Sequence, residues 1–239
     1  MKIGVFDSGV GGLTVLNKLV SNYPNNEYIY FGDIKNNPYG SKSVEELEKL
    51  SSNIIDFLIK KNVDMIIIAC GTVSSTLGDV LKQKYNIPII DIINPVIEYI
   101  NNSNYNKIGI IATERTVNSN AFKNINRDTK LVACKQFVPI IEKNNYEELE
   151  EYLDLYLKDL KDRDLIVLGC THYPIIQKQI QIYLGSYIKL LDMSECLPSI
   201  SNEGNKRIKL YFSYLDDIVI NNVKNIFKQN NYTIEKNDL

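Results

Sequence analysis

Two cysteines each close a short apolar run. Asp64-Met65-Ile66-Ile67-Ile68-Ala69 leads to Cys70, and Asp164-Leu165-Ile166-Val167-Leu168-Gly169 leads to Cys170. Both runs read as buried parallel strands, and open α/β sheets bind ligands beyond the C-terminal ends of such strands. Gly71-Thr72-Val73-Ser74-Ser75 and Thr171-His172-Tyr173-Pro174 then read as helix starts. A thiol at a helix N-terminus feels the positive end of the macrodipole, which lowers its pKa and raises its thiolate fraction. The alternative is a small buried core residue at each place. Recurrence in matching positions shifts the balance toward chemistry.

Each thiol has a candidate helper. Asp7 ends the apolar run Ile3–Phe6 and is followed by Ser8 and Gly9. It can accept or relay a proton near Cys70, or serve only as a helix cap. His172 stands two residues after Cys170 and reads as its proton partner, with a structural histidine as the alternative. A single histidine rules out a multi-histidine metal site. Cys70, Cys134, Cys170 and Cys196 are too far apart for a paired C-x-x-C signature, so no metal is expected. Asp7-Ser8-Gly9-Val10-Gly11-Gly12 does not complete a dinucleotide fingerprint, because Thr14 holds the last glycine slot. No Gly-Lys-Ser/Thr P-loop is present either. These glycines can still turn N–H groups toward a carboxylate. Pro38-Tyr39-Gly40-Ser41 reads as a turn, either an anion nest or an ordinary surface turn. Where a phosphatase loop needs an arginine after its thiolate, this chain has Thr76 and Ile176.

Positioning these residues requires alternating strands and helices. Ile3–Phe6, Tyr28–Phe31, Met65–Ala69, Pro88–Ile93, Ile108–Ile111, Leu165–Leu168 and Ile188–Leu191 read as strands. Ser43-Val44-Glu45-Glu46 is a capping box that opens a helix with Leu47, Leu50, Ile54 and Leu58 on one face. A second helix is expected from Asn145, and a third with Pro174 in its first turn. The fold class is therefore α/β with parallel sheets flanked by helices. Lys2–Phe6 resembles Lys107–Ile111, Asp64–Cys70 resembles Asp164–Cys170, and Ile87–Asp91 more loosely resembles Tyr187–Asp192. One such match is what chance gives among Val/Ile strands. Three in order suggest two similar halves, residues 1–91 and 92–204. The tail, 205–239, has no counterpart in the repeat and is expected to return to the first half.

Composition narrows the partners. The 239 residues are 44% apolar and 23% charged, ordinary values for a folded chain. The net charge of −2, from 27 basic and 29 acidic residues, gives no global field for nucleic acid or acidic membranes. The opening Met1–Asp7 is too short in apolar residues for a secretory leader, and no run reaches the ~18 apolar residues of a membrane span. Four cysteines without an export signal read as reduced thiols in a cytoplasm.

Read together, the motifs resemble the glutamate racemase family, within the aspartate/glutamate racemase superfamily. The residues that carry the resemblance are Ile3–Val15, Tyr30-Phe31-Gly32-Asp33, Pro38–Ser43, Ala69-Cys70-Gly71-Thr72, Phe137–Glu142 and Leu168–Pro174. The resemblance implies a pseudo-symmetric pair of α/β domains with the active site between them. It implies cofactor-independent racemisation of glutamate, with Cys70 and Cys170 as opposed acid/base residues. By the same resemblance Asp7 assists Cys70, His172 assists Cys170, and Glu142 is a supporting carboxylate or else a solvated loop residue. Asp7, Ser8, Tyr39, Gly40, Ser41, Gly71, Thr72, Thr171 and His172 would surround the substrate. D-glutamate for peptidoglycan is the implied product and glutamate the partner, and a homodimer is one arrangement the resemblance allows. One departure stands out. The family usually has Asn where this chain has Gly71, and losing a hydrogen bond to a charged ligand group costs ~1.5–3 kcal/mol if nothing replaces it. Gly71 thus motivates two alternatives: an aspartate or broad amino-acid racemase, and a catalytically silent ligand-binding paralogue.

Overall fold

The computed structural model describes residues 1–239. The first half alternates strands and helices as β1 (Lys2–Asp7), α1 (Leu13–Asn22), β2 (Glu27–Gly32), α2 (Val44–Lys60), β3 (Met65–Ile68), α3 (Gly71–Lys84) and β4 (Ile89–Asp91). The second follows as α4 (Asn94–Asn102), β5 (Lys107–Ala112), α5 (Glu114–Asn118), β6 (Asp128–Ala133), α6 (Phe137–Glu142), α7 (Leu149–Leu157), β7 (Leu165–Leu168), α8 (Gln177–Leu184) and β8 (Lys189–Asp192). The chain ends with β9 (Arg207–Phe212), α9 (Asp217–Ile226) and β10 (Tyr232–Lys236).

All strands are parallel and form two sheets, ordered β10-β9-β2-β1-β3-β4 and β6-β5-β7-β8. The second order repeats the last four strands of the first, β2-β1-β3-β4. In each sheet the order reverses between the first and third strands of its half, β1 beside β3 and β5 beside β7. Phe6 pairs with Ile68 and Ile111 with Leu168, so Cys70 and Cys170 occupy equivalent places just past these switch points. Small details recur as well. The Asp64 carboxylate accepts from the Lys2 N–H at 2.7 Å, and the Asp164 carboxylate accepts from the Lys107 N–H at 2.7 Å.

Local sequence explains the elements. At the start of α2, Ser43 Oγ accepts from the Glu46 N–H and Glu46 Oε2 accepts from the Ser43 N–H, closing the capping box. Its Leu47, Ile54 and Leu58 are buried against the outer face of the first sheet. Three strands escaped the sequence reading. In β9 Lys209 breaks the apolar run, and in β6 and β10 polar and charged residues make up half of the strand or more along half-covered edges, so none shows a long apolar run. The helix expected from Asn145 opens as a 3-10 turn, Tyr146–Glu148, before α7. The polar stretch Asn101-Asn102-Ser103-Asn104 suggests a surface loop in sequence, but Asn101 and Asn102 complete α4.

The tail joins the first sheet. β9 pairs with β2 from Glu27–Arg207 to Gly32–Phe212, and β10 forms the edge beyond it. Leu210 is fully buried in a core cluster that also holds residues of α1, α4, α9 and both sheets. Leu210→Ala should therefore destabilise the whole protein by about 2–5 kcal/mol, the usual range for a buried Leu→Ala change. Urea denaturation followed by circular dichroism measures it. A loss below about 0.5 kcal/mol would mean the tail is only loosely attached.

Candidate active site

Cys70 ends the strand segment after β3 and caps α3, its carbonyl accepting the helix's Ser74 N–H at 2.9 Å. The sulfur is 4% exposed. Burial, and then the nearby Asp7 carboxylate, push its thiol up to about 12. The Val73 N–H and the Ser8 hydroxyl pull the other way without prevailing. The expectation of a depressed pKa fails here because desolvation outweighs the helix dipole in a closed site.

Cys170 sits equivalently after β7, but a 3-10 turn, Tyr173–Ile176, precedes the regular helix α8. The expected α-helical start is therefore displaced, and the residue that acts on the sulfur is His172. His172 Nδ1 lies 3.7 Å from Cys170 Sγ, and its Nε2 lies 2.6 Å from Glu142 Oε1. The ring is 1% exposed. Burial alone pulls its pKa down, but the hydrogen bonds to Cys170 and Glu142, with their charges, raise it well above the ordinary value. Glu142 closes α6 and also accepts from Asn37 Nδ2 at 3.1 Å. From the tail, Asn222 Nδ2 donates to the Glu142 carbonyl at 3.3 Å, and Asn222 Oδ1 accepts from Asn144 Nδ2 at 3.0 Å.

Asp7 is fully buried behind this wall. Its Oδ1 accepts from the Gly9 N–H at 3.0 Å and its Oδ2 from Thr171 Oγ1 at 3.1 Å. Burial raises its pKa, against the His172 charge and the backbone N–H groups of Gly9 and Gly12. The glycine loop thus serves the protein's own carboxylate. Gly11 has a steric role as well: a Cβ there would sit 2.5 Å from His172 Nδ1 and 2.6 Å from Thr171 Oγ1. Tyr39 is held in its turn by donating to Asp33 Oδ2 at 2.6 Å, while Ser213 of the tail donates to Asp33 Oδ1 at 2.7 Å.

Both sulfurs line one cavity of about 190 Å³, below the volume of most drug-sized ligand sites. Ser8, Tyr39, Gly40, Ser41, Gly71, Thr72, Thr171 and His172 line it too, whereas Asp7 and Glu142 stand behind its wall. A Cβ on Gly71 would lie 2.8 Å from the Gly169 carbonyl oxygen, so the two cysteine segments abut. Thr113 was missed by the sequence reading, although the repeat pairs it with Ser8. Its hydroxyl lies 3.0 Å from that of Thr72 and 3.0 Å from that of Thr116. Asn37 and Lys135 also line the cavity and carried no sequence signal, and Pro139 of the Phe137–Glu142 motif lines it too. Lys135 reaches Glu114 at 2.5 Å. No group of three His, Cys, Asp or Glu side chains comes together to hold a metal.

Known proteins are similar to this chain in sequence and fold. The glutamate racemase of Hydrogenobaculum sp. (strain Y04AAS1) is 40% identical over 228 residues, 89% of this chain and 88% of that protein. The crystal structure of the Francisella tularensis glutamate racemase in complex with D-glutamate superposes with a TM-score of 0.85 at 33% identity, covering 99% of this chain and 97% of that one. The Aquifex pyrophilus glutamate racemase structure gives 0.85 at 34% identity, over 99% and 98% of the two chains. Residues 3–196 match the profile of the Asp/Glu/Hydantoin racemase family. With two parallel sheets, paired cysteines and that profile in agreement, the chain belongs to the Asp/Glu/Hydantoin racemase family.

Proposed function

We propose that the protein interconverts L- and D-glutamate without a cofactor, using Cys70 and Cys170 as opposed acid and base. The observation that carries this reading is that two sulfurs from equivalent strand ends open on one small cavity. Racemisation needs a proton removed from one face of Cα and another delivered to the opposite face. In one direction Cys170 takes the proton as thiolate and Cys70 gives its own; in the other the roles exchange. The two start from different states. Cys70, pushed up to about 12, rests as the acid. His172, held as a cation beside Cys170, stabilises negative charge on that sulfur. Glu142 supports that cation, and Asp7 acts on Cys70 through charge while anchoring Thr171.

Negative charge developing at Cα meets the N–H groups at the start of α3 and the hydroxyls of Ser8 and Thr72. The Thr72–Thr113 hydroxyl pair supplies polar contact on the cavity wall. Tyr39, Gly40 and Ser41 close the cavity from the turn that Asp33 holds. The lobes that close on the substrate are residues 1–91 with 205–239, and 92–204. The same reading places the enzyme in the cytoplasm, supplying D-glutamate for peptidoglycan. Its four cysteines are free, and no helix is long and apolar enough to cross a membrane.

Gly71 keeps an aspartate substrate in play, because its contact with Gly169 leaves no room for a side chain. Exchange rates with glutamate, aspartate and glutamine in D₂O separate the readings. Equal or faster aspartate turnover would overturn the glutamate assignment, and any glutamate-dependent deuterium uptake excludes a silent ligand-binding protein.

Cys70→Ala and Cys170→Ala should each lower racemisation by at least the ~10²–10⁴-fold typical of a lost acid or base. Circular dichroism follows the racemisation and proton NMR in D₂O the Cα exchange. Full exchange from both enantiomers in either variant would reject the two-thiol mechanism. Glu142→Gln removes the anion that keeps His172 protonated. The imidazolium is then lost at lower pH, so the alkaline limb of the kcat/KM profile should move down by about one to three units. An unmoved limb would remove Glu142 from the relay.

A further inference from the structure

Five buried side-chain polar atoms find no hydrogen-bond partner within the protein, and two of them, Thr76 Oγ1 and Arg115 Nε, belong to residues lining one cleft. Native folds rarely leave buried donors unmatched, so two in one place ask for a cause. The cleft, about 570 Å³, opens between the lobes beside the catalytic cavity and shares Gly40, Ser41 and Glu114 with it. Ser75 and Thr76 of α3 form one wall; Glu114 and Arg115 of α5, with Ser119 just beyond it, form the other. Val44 is the one apolar residue in the lining.

The charges favour an anion. Glu114 is taken by Lys135 at 2.5 Å and leaves Arg115 to the cleft. Arg115 also acts weakly on Glu45, an exposed acid at the start of α2. A guanidinium offers a planar fork of N–H donors that matches the oxygens of a carboxylate or phosphate. Two serine hydroxyls and Thr76 stand around it.

We propose that this cleft binds a small oxyanion, a carboxylate or phosphate group, between Arg115 of one lobe and Thr76 of the other. The same two helices meet through hydroxyls: Ser75 donates to Thr116 at 3.3 Å, Thr116 is 3.0 Å from Thr113, and Thr113 is 3.0 Å from Thr72 on the catalytic cavity. An anion that ties α3 to α5 therefore stiffens the wall on which the substrate rests, and the two sites are linked.

The test uses the full-length protein and inorganic phosphate, with ionic strength held constant by chloride. Phosphorus NMR line broadening reads binding directly and does not depend on racemisation, so it stands apart from the activity proposed above. Wild type should show saturable broadening. Arg115→Gln should weaken binding at least tenfold, and Thr76→Val several-fold. Arg115→Lys should fall between wild type and Arg115→Gln. Glu45→Gln, which removes the competing carboxylate, should tighten binding, a gain that no misfolded variant can mimic. Acetate that displaces phosphate marks carboxylates as the preferred ligand, and failure to displace it marks phosphate; either keeps the site. Equal binding by wild type and Arg115→Gln would overturn the proposal.

Discussion

A protonated imidazole shut away from water must be given a counter-ion, and much of this site is arranged around that need. His172 is buried almost completely and finds Glu142 at 2.6 Å. An ion pair in such surroundings is stable only when its remaining hydrogen-bonding capacity is met. Two side chains meet it, and a third braces the backbone beside it. Asn37 comes from the loop after β2, Cys170 from the end of β7, and Asn222 holds the Glu142 backbone from the C-terminal helix. The pair therefore fixes how the two lobes and the tail sit together, and the cavity between the cysteines inherits its shape from that fit.

Around this pair the fold repeats while the chemistry does not. Equivalent strand positions carry Asp7 and Ala112, Ser8 and Thr113, Thr72 and His172. The first sulfur consequently faces an anion and the second a cation. Burial with Asp7 nearby pushes the Cys70 thiol up to about 12, whereas Cys170 has an imidazolium for a neighbour. Symmetry of backbone brings the two sulfurs to one cavity. Asymmetry of side chains gives them opposite electrostatic surroundings. Gly71 belongs to the same trade, since Thr171 occupies its equivalent place and a residue with a Cβ would press on Gly169.

Much of this was legible in the chain because buried parallel strands are continuous apolar runs and because the duplication preserves their order. The cysteines, Asp7 and His172 stand at strand ends, where position follows from pattern. Thr113 was readable by the same duplication, since Lys2–Phe6 and Lys107–Ile111 align it with Ser8. What stayed hidden depends on contacts between residues far apart in sequence. Asn37 reaches Glu142 across the lobes, and Asn222 reaches it from the tail. Neither has a local motif. The sign of the Cys70 shift was hidden for a related reason: the helix dipole is visible in sequence, but the depth of burial that overrides it is a property of the assembled cavity. Edge strands β6 and β10 were lost because half or more of their residues are polar or charged.

The placement of β9 has a consequence for biosynthesis. The four-stranded sheet has all its strands once Asp192 has left the ribosome, but the outer edge of β2 stays open until Arg207–Phe212 follows. An unpaired parallel edge is a template for wrong partners. The N-terminal half, although made first, is thus the last to be sealed, and the nascent chain carries its most adhesive surface longest on the side that emerged earliest.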